Sequence, residues 1–281
     1  MIVVTGATGQ LGRLVIASLL KTTPADQLVA AVRTPASAAD LAALGVHVRL
    51  ADYTRPETLA AAFAGVDRLL LISGNDLGKR LPQHQAVIAA AKAAGVTRLA
   101  YTSLLRADTS TLSLAAEHKA TEEAITASGL PHVFLRNGWY LENQTASLGA
   151  ALQHGAILGA AGDGLFAAAS RQDYAEAAAA VLTAANPQPV YELAGDVPYT
   201  LAQLAAEVAA QSGKPVVYNN LPPEAYAAAL IGFGLPAPIA EMLADSDAQA
   251  ARGELTSNSA DLRTLIGHPT TTLADAVKAA L

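Results

Sequence analysis

The 281-residue chain has a formal net charge of −6, is 52% hydrophobic and contains no cysteine. This length is sufficient for one large α/β domain with an added lobe. An acidic balance without any basic block argues against nucleic acid as a partner. The lack of cysteine excludes disulfides and thiolate chemistry, and the histidines show no metal-ligand spacing, so no bound metal is predicted. No apolar run could span a bilayer and no signal peptide precedes the first predicted strand, so we expect a soluble cytoplasmic protein without membrane association.

The first motif is a β-branched run at residues 2–5 that is followed directly by Gly-Ala-Thr-Gly-Gln-Leu-Gly at residues 6–12. Apolar residues then recur at helical spacing up to Leu19, which predicts an amphipathic helix. A second apolar run at residues 28–32 predicts another strand. Strand, glycine turn, helix and strand in this order predict a βαβ unit that opens a parallel sheet.

The three glycines of the turn have separate physical roles. Gly6 lets the chain leave the strand in a tight turn, Gly9 lets a pyrophosphate approach the backbone, and Gly12 lets the helix pack close to the strand. The free N–H groups at the start of the helix would face the phosphates. Although the spacing is G-x-x-G-x-x-G rather than G-x-G-x-x-G, its position between strand and helix favours a dinucleotide site over a turn without a ligand. The predicted cofactor-binding residues of this turn are Gly6, Thr8, Gly9, Gln10, Leu11 and Gly12.

Arg33 ends the second predicted strand. Folds that select NAD usually carry an acidic residue there, which holds the ribose 2′-hydroxyl. A guanidinium suits a 2′-phosphate instead, and no acidic residue adjoins it. We therefore predict NADPH rather than NADH as the cofactor. The alternative interpretation is an ordinary surface arginine at a strand end.

Strand and helix patterns continue to alternate at intervals of ~25 to 30 residues, which is typical of a doubly wound parallel sheet. Ligands of such sheets bind beyond the carboxyl ends of the strands. Further cofactor contacts are therefore predicted after the third strand, at Asp52 and Tyr53 beside the adenine ring. Others are predicted after the fourth and fifth strands, at Ser73, Gly74 and Ser103.

From about Glu142 the strand patterns become sparse, with candidates around Ile157 and at residues 190–193. The expected architecture is α/β. A Rossmann-like doubly wound sheet occupies residues 1–141, and a smaller, mostly helical lobe that covers the substrate occupies residues 142–281. A helix within residues 171–185 is expected to pack back on the sheet, with Asp173 as a cap at its start. The oligomeric state stays open, with a homodimer as one alternative.

Polar and aromatic residues cluster after the sixth predicted strand, near the expected nicotinamide ring. Tyr and Trp offer flat faces to an aromatic acceptor, and Asn offers donors to its carbonyl groups. Core packing is an equally good interpretation of Trp139, and a helix cap or surface role is an equally good one of His84. The predicted substrate contacts are His84, Asn137, Trp139, Tyr140 and Asn143.

Several segments together resemble the NmrA-like branch of the atypical short-chain dehydrogenase/reductase superfamily. They are the glycine turn, Asp52-Tyr53, Ala-Tyr-Thr-Ser at residues 100–103, Leu-Arg-Asn-Gly-Trp-Tyr at residues 135–140 and Gly-His-Pro-Thr-Thr-Thr-Leu at residues 267–273. The last two are much more specific than the glycine turn. Within this branch the chain is most similar to bacterial NAD(P)H:quinone oxidoreductases of the second type. The resemblance implies a flavin-free reductase that binds NADPH and passes a hydride to a small-molecule quinone.

Typical members of the wider superfamily carry Tyr-x-x-x-Lys on a helix, where the lysine lowers the pKa of the tyrosine for proton transfer. None of the eight tyrosines here has a lysine four residues later. The predicted helix at residues 115–128 carries His118 and Glu122 instead, on one face and within reach of each other. They are either a weak acid–base substitute, an ordinary surface pair, or a polar contact to the substrate or to a loop. No other catalytic residue is predicted.

The missing proton relay favours a quinone or a dye as acceptor over an alcohol or a sugar. The charge that develops on such an acceptor is delocalised and solvent can protonate the product, so that orientation becomes the main task of the protein. Two alternatives stay open. One is a redox sensor that binds NADP(H) without chemistry. The other is an enzyme for another small substrate, either an isomerase or a reductase of an acceptor such as a triphenylmethane dye.

Overall fold

The computed structural model describes residues 1–76 and 78–281. The strands within these ranges are β1 (Ile2–Thr5), β2 (Leu28–Val32), β3 (His47–Leu50), β4 (Arg68–Leu71), β5 (Arg98–Leu104), β6 (His132–Asn137), β7 (Ala156–Gly159), β8 (Val190–Leu193) and β9 (Val217–Asn220). The helices are α1 (Gln10–Leu19), α2 (Ala39–Ala43), α3 (Pro56–Ala62), α4 (Arg80–Ala93), α5 (Ala115–Ser128), α6 (Leu141–Thr145), α7 (Leu148–His154), α8 (Arg171–Thr183), α9 (Leu201–Ser212), α10 (Pro223–Gly232), α11 (Ala237–Ala250), α12 (Asp261–Ile266) and α13 (Leu273–Ala280).

Seven parallel strands form the central sheet in the order β3-β2-β1-β4-β5-β6-β8. The chain runs outward from β1 to β3 and then crosses back to β4 on the other side of β1. This reversal leaves a crevice beyond the carboxyl ends of β1 and β4, the usual ligand site of such sheets. The predicted Rossmann-like doubly wound parallel sheet is confirmed.

Side chains alternate across the sheet and form one apolar layer on each face, as expected for strands that helices cover on both sides. Val4 and Leu70 belong to the layer that contains the apolar residues of α1 and α8. Their neighbours Val3 and Leu71 belong to the opposite layer, with residues of α3, α4 and α5. The two layers fix the sheet and thereby hold the loops at its carboxyl edge.

The C-terminal part of the chain forms the lobe and also adds a strand and a helix to the main sheet. β7 and β9 pair in parallel as a small second sheet, and apolar residues of α7, α9 and α13 pack with β7 in a third cluster. The expected mostly helical lobe therefore carries two short strands. β8, in contrast, pairs with β6 at the edge of the main sheet, and α8 packs against α1. The domain boundary at residues 141 and 142 stays a prediction.

Two segments differ locally from what the sequence pattern predicts, which is one helix over residues 35–44 and another over residues 82–94. The helix expected from Pro82 begins at Arg80, because a proline in the first turn removes an N–H that has no partner within the helix. Residues 35–44 were expected to form one helix but form a 3-10 turn followed by α2, since Ala38 leaves the helical conformation (φ −113°, ψ 21°). Asp173 completes a capping box with Ser170 at the start of α8, which confirms its predicted role.

Among the helices described for residues 1–76 and 78–281, none combines the length and the apolar character that crossing a membrane requires.

Candidate active site

A cleft of about 750 Å³ lies beyond the carboxyl ends of β4, β5 and β6 and extends to the start of α1. Met242 and Leu243 of α11 form part of its wall, so that the C-terminal lobe faces the sheet across the cleft. The residues that line it are Gln10, Leu14, Ser73, Asn75, Arg80, Ser103, Leu104, Leu114, His118, Asn137, Gly138, Trp139, Tyr140, Glu142, Asn143, Ala146, Arg171, Met242 and Leu243.

The glycine turn joins β1 to α1 as predicted. Gly6 has φ +60°, a conformation that favours glycine, and its carbonyl accepts the N–H of Gly9 at 2.9 Å. Gly9 precedes α1 without a side-chain cap, so the first N–H groups of the helix are left for a ligand or for water. A Cβ on Gly12 would lie 2.3 Å from the Gly6 oxygen, which explains the need for glycine there. These features fit a bound pyrophosphate.

The other residues of the turn divide between cleft and core. Gln10 lines the cleft, whereas Leu11 is buried in the apolar layer beneath α1. Thr8, which precedes both in the sequence, is partly buried. Leu11 therefore supports the turn from the core.

Arg33 is exposed at the end of β2, and its side chain makes no hydrogen bond or ion pair within residues 1–76 and 78–281. The positive charge of Arg33 also acts on Asp52, which follows the neighbouring strand β3. A hydrogen bond from the Thr54 hydroxyl lowers the pKa of Asp52, and Arg33 lowers it further. Burial raises the pKa of Tyr53 to about 12, so this phenol stays neutral. An exposed guanidinium without a protein partner can receive a phosphate at this edge.

His84 supports the loop after β4. Its Nε2 accepts the N–H of Gly74 at 3.1 Å, and its Nδ1 lies 3.0 Å from the Thr121 hydroxyl. The ring is fully buried, and burial lowers the pKa of His84 to about 3. A neutral ring with Nε2 as acceptor carries its proton on Nδ1. His84, expected to contact substrate, is thus absent from the cleft lining and positions Gly74 from behind, while Ser73 lines the cleft.

His118 and Glu122 do not hydrogen-bond to each other, contrary to one interpretation of their spacing. His118 lines the cleft and its Nδ1 lies 2.9 Å from the Tyr101 hydroxyl. Glu122 accepts the Ser103 hydroxyl at 2.5 Å and binds Arg136 through both of its oxygens. Both side chains of α5 are buried, so neither belongs to an ordinary surface pair.

The segment after β6 forms the opposite part of the wall. Asn137 donates to the Tyr140 hydroxyl at 3.1 Å, and its buried Oδ1 has no hydrogen-bond partner in the described part of the chain. The Arg171 guanidinium lies 4.9 Å from the centre of the Tyr140 ring and donates to the Asn143 side chain at 2.8 Å. Trp139 is 8% exposed and packs in the lobe core, which confirms the core interpretation. It also borders the cleft, and its contact with substrate stays a prediction.

Two buried arginines belong to this region and are missing from the sequence-based site. Arg80 lines the cleft at the start of α4. Arg136 stands beside Ser103 in the register of β5 and β6 and holds Glu122 in place. A position near the carboxyl end of β6 was the available signal for Arg136, whereas Arg80 begins α4 and lies well past the end of β4. Met242 and Leu243 had no such signal, because they reach the cleft from a helix of the lobe.

In residues 1–76 and 78–281, no group of three or more His, Cys, Asp or Glu side chains is arranged to hold a metal ion.

Comparison with known proteins connects this geometry to a family. Residues 6–185 match the NAD(P)H-binding family. Quinone oxidoreductase 2 of Escherichia coli is 58% identical over 278 residues, which cover 99% of this chain and 97% of that protein. The NADPH-dependent quinone oxidoreductase QOR2 of Escherichia coli, solved with NADPH, has a TM-score of 0.97 at 57% identity, with 99% of each chain covered.

A second solved relative is named for a different activity. The triphenylmethane reductase of Citrobacter sp., solved with NADP(H), has a TM-score of 0.95 at 42% identity, with 100% of each chain covered. NmrA, a negative transcriptional regulator solved with NAD, has a TM-score of 0.77 at 16% identity and shares the fold. The matches to quinone oxidoreductase 2 and to triphenylmethane reductase cover nearly the full chain, so they include the lobe as well as the sheet. The chain belongs to the NAD(P)H-binding family, as a full-length relative of quinone oxidoreductase 2 and triphenylmethane reductase.

Proposed function

We propose that the protein is an NADPH-dependent quinone reductase that works without flavin. One observation carries the proposal: a single cleft extends from Gln10 at the glycine turn to the aromatic wall at Trp139 and Tyr140. Such a cleft can hold a nicotinamide against a flat aromatic acceptor. The full-length identity with quinone oxidoreductase 2 supports the same activity.

The proposed cofactor site follows the carboxyl edge of the sheet. The N–H groups at the start of α1 bind the pyrophosphate, and Arg33 binds the 2′-phosphate. Asp52 and Tyr53 stand at the adenine end, while Ser73, Gly74 and Ser103 stand at the nicotinamide end. When bound, NADPH supplies the hydride.

The protein contributes orientation and partial exclusion of water. Trp139 and Tyr140 offer flat faces to the acceptor. Beside them, the Asn137 carbonyl oxygen has no hydrogen-bond partner in residues 1–76 and 78–281 and can accept one from a bound molecule. The phenol of Tyr140 stays neutral, because burial raises its pKa. The tyrosine–lysine pair of related dehydrogenases is missing, and reduction of a quinone needs no such relay because solvent can protonate the delocalised product anion.

The test is oxidation of the cofactor by the purified protein with 1,4-benzoquinone, with no flavin added. Parallel reactions contain NADPH or NADH, and a further pair contains the triphenylmethane dye crystal violet in place of the quinone. We expect rapid quinone turnover with a preference for NADPH. Faster reduction of the dye than of the quinone would make dye reduction the better assignment. Tight NADPH binding without oxidation by any acceptor would contradict both and favour a sensor.

A further inference from the structure

Arg80 is a buried cation whose donors the protein leaves mostly unused. Its residue exposure is 5%, yet it lines the cleft. Of the five N–H donors of a guanidinium, only Nε makes a hydrogen bond within residues 1–76 and 78–281, to the Gly74 carbonyl at 2.7 Å. The counter-charge is Glu117, whose Oε2 lies 3.4 Å from Nη1. Nη1 is completely buried and has no hydrogen-bond partner in the described residues, so the donors left for a ligand oxygen in the cleft are those of Nη2.

His118 presents a second donor to the same cleft. Its only hydrogen bond in the described chain joins Nδ1 to the Tyr101 hydroxyl. Thr121 is a further hydrogen-bond partner of that hydroxyl, and burial raises the pKa of Tyr101, so the phenol keeps its proton. We assign this proton to the bond with Nδ1 of His118. Burial and the nearby charge of Arg80 lower the pKa of His118 well below its ordinary value. The neutral ring therefore carries its hydrogen on Nε2, as a donor.

Ser103 is excluded from this donor role although it lines the cleft. Its hydroxyl donates to Glu122 at 2.5 Å, and Arg136 holds Glu122 through both oxygens. The proton of Ser103 is thus directed away from the cleft, and its lone pairs are left to accept. Arg80 and His118 supply the donors of the wall, and Ser103 supplies an acceptor.

We propose that Arg80 and His118 bind the carbonyl oxygen of the acceptor that becomes negatively charged when the hydride arrives. This inference rests on the proposed quinone reductase function and names the groups that would bind the quinone oxygen. A fixed cation and a preoriented N–H stabilise a developing oxyanion most when water is largely excluded.

The chemical balance is complete with the reactants of the proposed reaction. The hydride carries two electrons from the dihydronicotinamide to the quinone, so that NADPH is oxidised to NADP⁺ and the quinone becomes a hydroquinone monoanion. Arg80 and His118 hold the anionic oxygen. One proton from solvent then gives the neutral hydroquinone, and neither side chain has to lose its proton.

The first experiment measures binding without turnover. 4-Nitrophenol serves as a stand-in for the hydroquinone anion, and the protein is saturated with NADP⁺. The absorption band of the phenolate reports the fraction ionised on binding. For the wild type we expect binding of the phenolate form, with a lowered pKa of the bound phenol. Arg80→Met should weaken phenolate binding about tenfold or more, and His118→Phe by a smaller factor of about three to tenfold.

Conservative variants and a matched control separate this role from a general effect on folding. Arg80→Lys keeps the charge, and His118→Gln keeps an N–H donor, so both should retain more of the binding than Arg80→Met and His118→Phe. Arg49→Met is the control, because Arg49 also donates to backbone carbonyls, those of Ala62 and Ala64, but lies on β3 outside the cleft lining. It should bind 4-nitrophenolate like the wild type. Melting temperatures and NADPH binding show whether each variant is folded.

The results distinguish failure of the inference from failure of the proposed function. Phenolate binding that Arg80→Met leaves unchanged, or no phenolate binding by the wild type, would overturn the oxyanion site even if quinones turn over. A loss of NADPH binding in Arg80→Met equal to the loss of phenolate binding would instead assign Arg80 to the cofactor. Phenolate binding as expected together with no turnover of any quinone would reject the proposed reaction and keep the anion site. If Arg80→Met does not fold, Arg80→Lys and the two His118 variants decide.

Discussion

Arg136 joins β6 to α5 through two parallel hydrogen bonds to Glu122, Nε to Oε1 at 3.0 Å and Nη2 to Oε2 at 2.7 Å. Its Nη1 also binds Asp108 at 2.9 Å and Glu192 at 2.8 Å. Burial by itself would lower the pKa of Arg136, but Glu122 and Glu192 raise it, so the side chain stays charged. The paired charges set the position of Ser103 at the cleft.

Glu122→Gln should destabilise the protein strongly. The substitution leaves Arg136 without its bidentate partner in a buried place, and breaking a buried ion pair from one side typically costs about 3 to 5 kcal/mol. Because Asp108 and Glu192 still face the guanidinium, we expect the free energy of unfolding to fall by an amount near the lower end of this range, about 3 kcal/mol. Urea unfolding followed by circular dichroism measures the change.

Glu123→Gln provides the matched control for this variant. Glu123 is the next residue of α5 but is exposed, and surface substitutions usually change stability by less than about 0.5 kcal/mol. Equal unfolding midpoints for the two variants would show that the buried pair contributes little to stability.

The fold could be predicted because strand and helix signals agree with burial on both faces of the sheet. The apolar runs at β1, β2 and β4 lie between helices, and helix ends coincide with glycines such as Gly129 and Gly267, which adopt positive φ. The predicted carboxyl ends of the strands then indicated where the cleft lies. Ser73, which follows β4, and Ser103 and Asn137, which lie at the carboxyl ends of β5 and β6, all line it.

Other parts of the site depend on contacts that a linear pattern does not specify. The spacing of His118 and Glu122 showed a shared face of α5, but their partners Tyr101 and Arg136 come from two different strands. Partner choice in a buried network depends on register and on which charges are near. The same limit explains why His84 was expected in the cleft.

Arg33→Asp should reverse the charge at the proposed 2′-phosphate site. We expect NADPH to bind about 10- to 100-fold more weakly, because charge-assisted contacts to the phosphate are lost and repulsion is added. NADH lacks this phosphate and should lose much less affinity. Fluorescence titration with both cofactors provides the dissociation constants.

Arg252→Asp makes the same change of charge at another exposed position and is the control for general electrostatics. It should alter the binding of both cofactors little and equally. A loss in Arg33→Asp that is the same for NADPH and NADH would remove Arg33 from cofactor selection.

Gly12→Ala should disturb the turn that receives the pyrophosphate. The new Cβ would lie 2.3 Å from the Gly6 oxygen and 2.7 Å from the Ala7 Cα, both backbone atoms, so the turn or α1 must shift. Overpacking of this kind costs about 1 to 3 kcal/mol, and we expect NADPH binding to weaken at least about tenfold because the first N–H groups of α1 move. Calorimetric titration with NADPH and thermal unfolding report the two effects.

Gly149→Ala is the matched control, since a Cβ at this position in α7 meets no atom within 4 Å. Alanine is the better helix former by up to about 1 kcal/mol, so this variant should be slightly more stable than the wild type. Normal NADPH binding by Gly12→Ala would show that close packing at the turn is not needed for the cofactor.

Asp247 makes the stability of the folded protein depend on pH. Burial raises the pKa of this α11 carboxyl from 3.8 to about 6, although it accepts the Ala160 N–H at 2.8 Å. Between these two values the folded state binds more protons than the unfolded state, so the contribution of Asp247 to stability falls as the pH rises through that window. Above it, the folded protein holds a buried carboxylate at a cost.

Asp247→Asn should remove this dependence. Relative to the wild type, its free energy of unfolding should rise by on the order of 2 kcal/mol between about pH 4 and about pH 7. Urea unfolding at several pH values measures the difference, with Glu241→Gln on the exposed side of the same helix as the control. For that surface change we expect a difference below about 0.5 kcal/mol throughout. A difference for Asp247→Asn that stays constant over this range would mean that the carboxyl titrates alike in the folded and unfolded states.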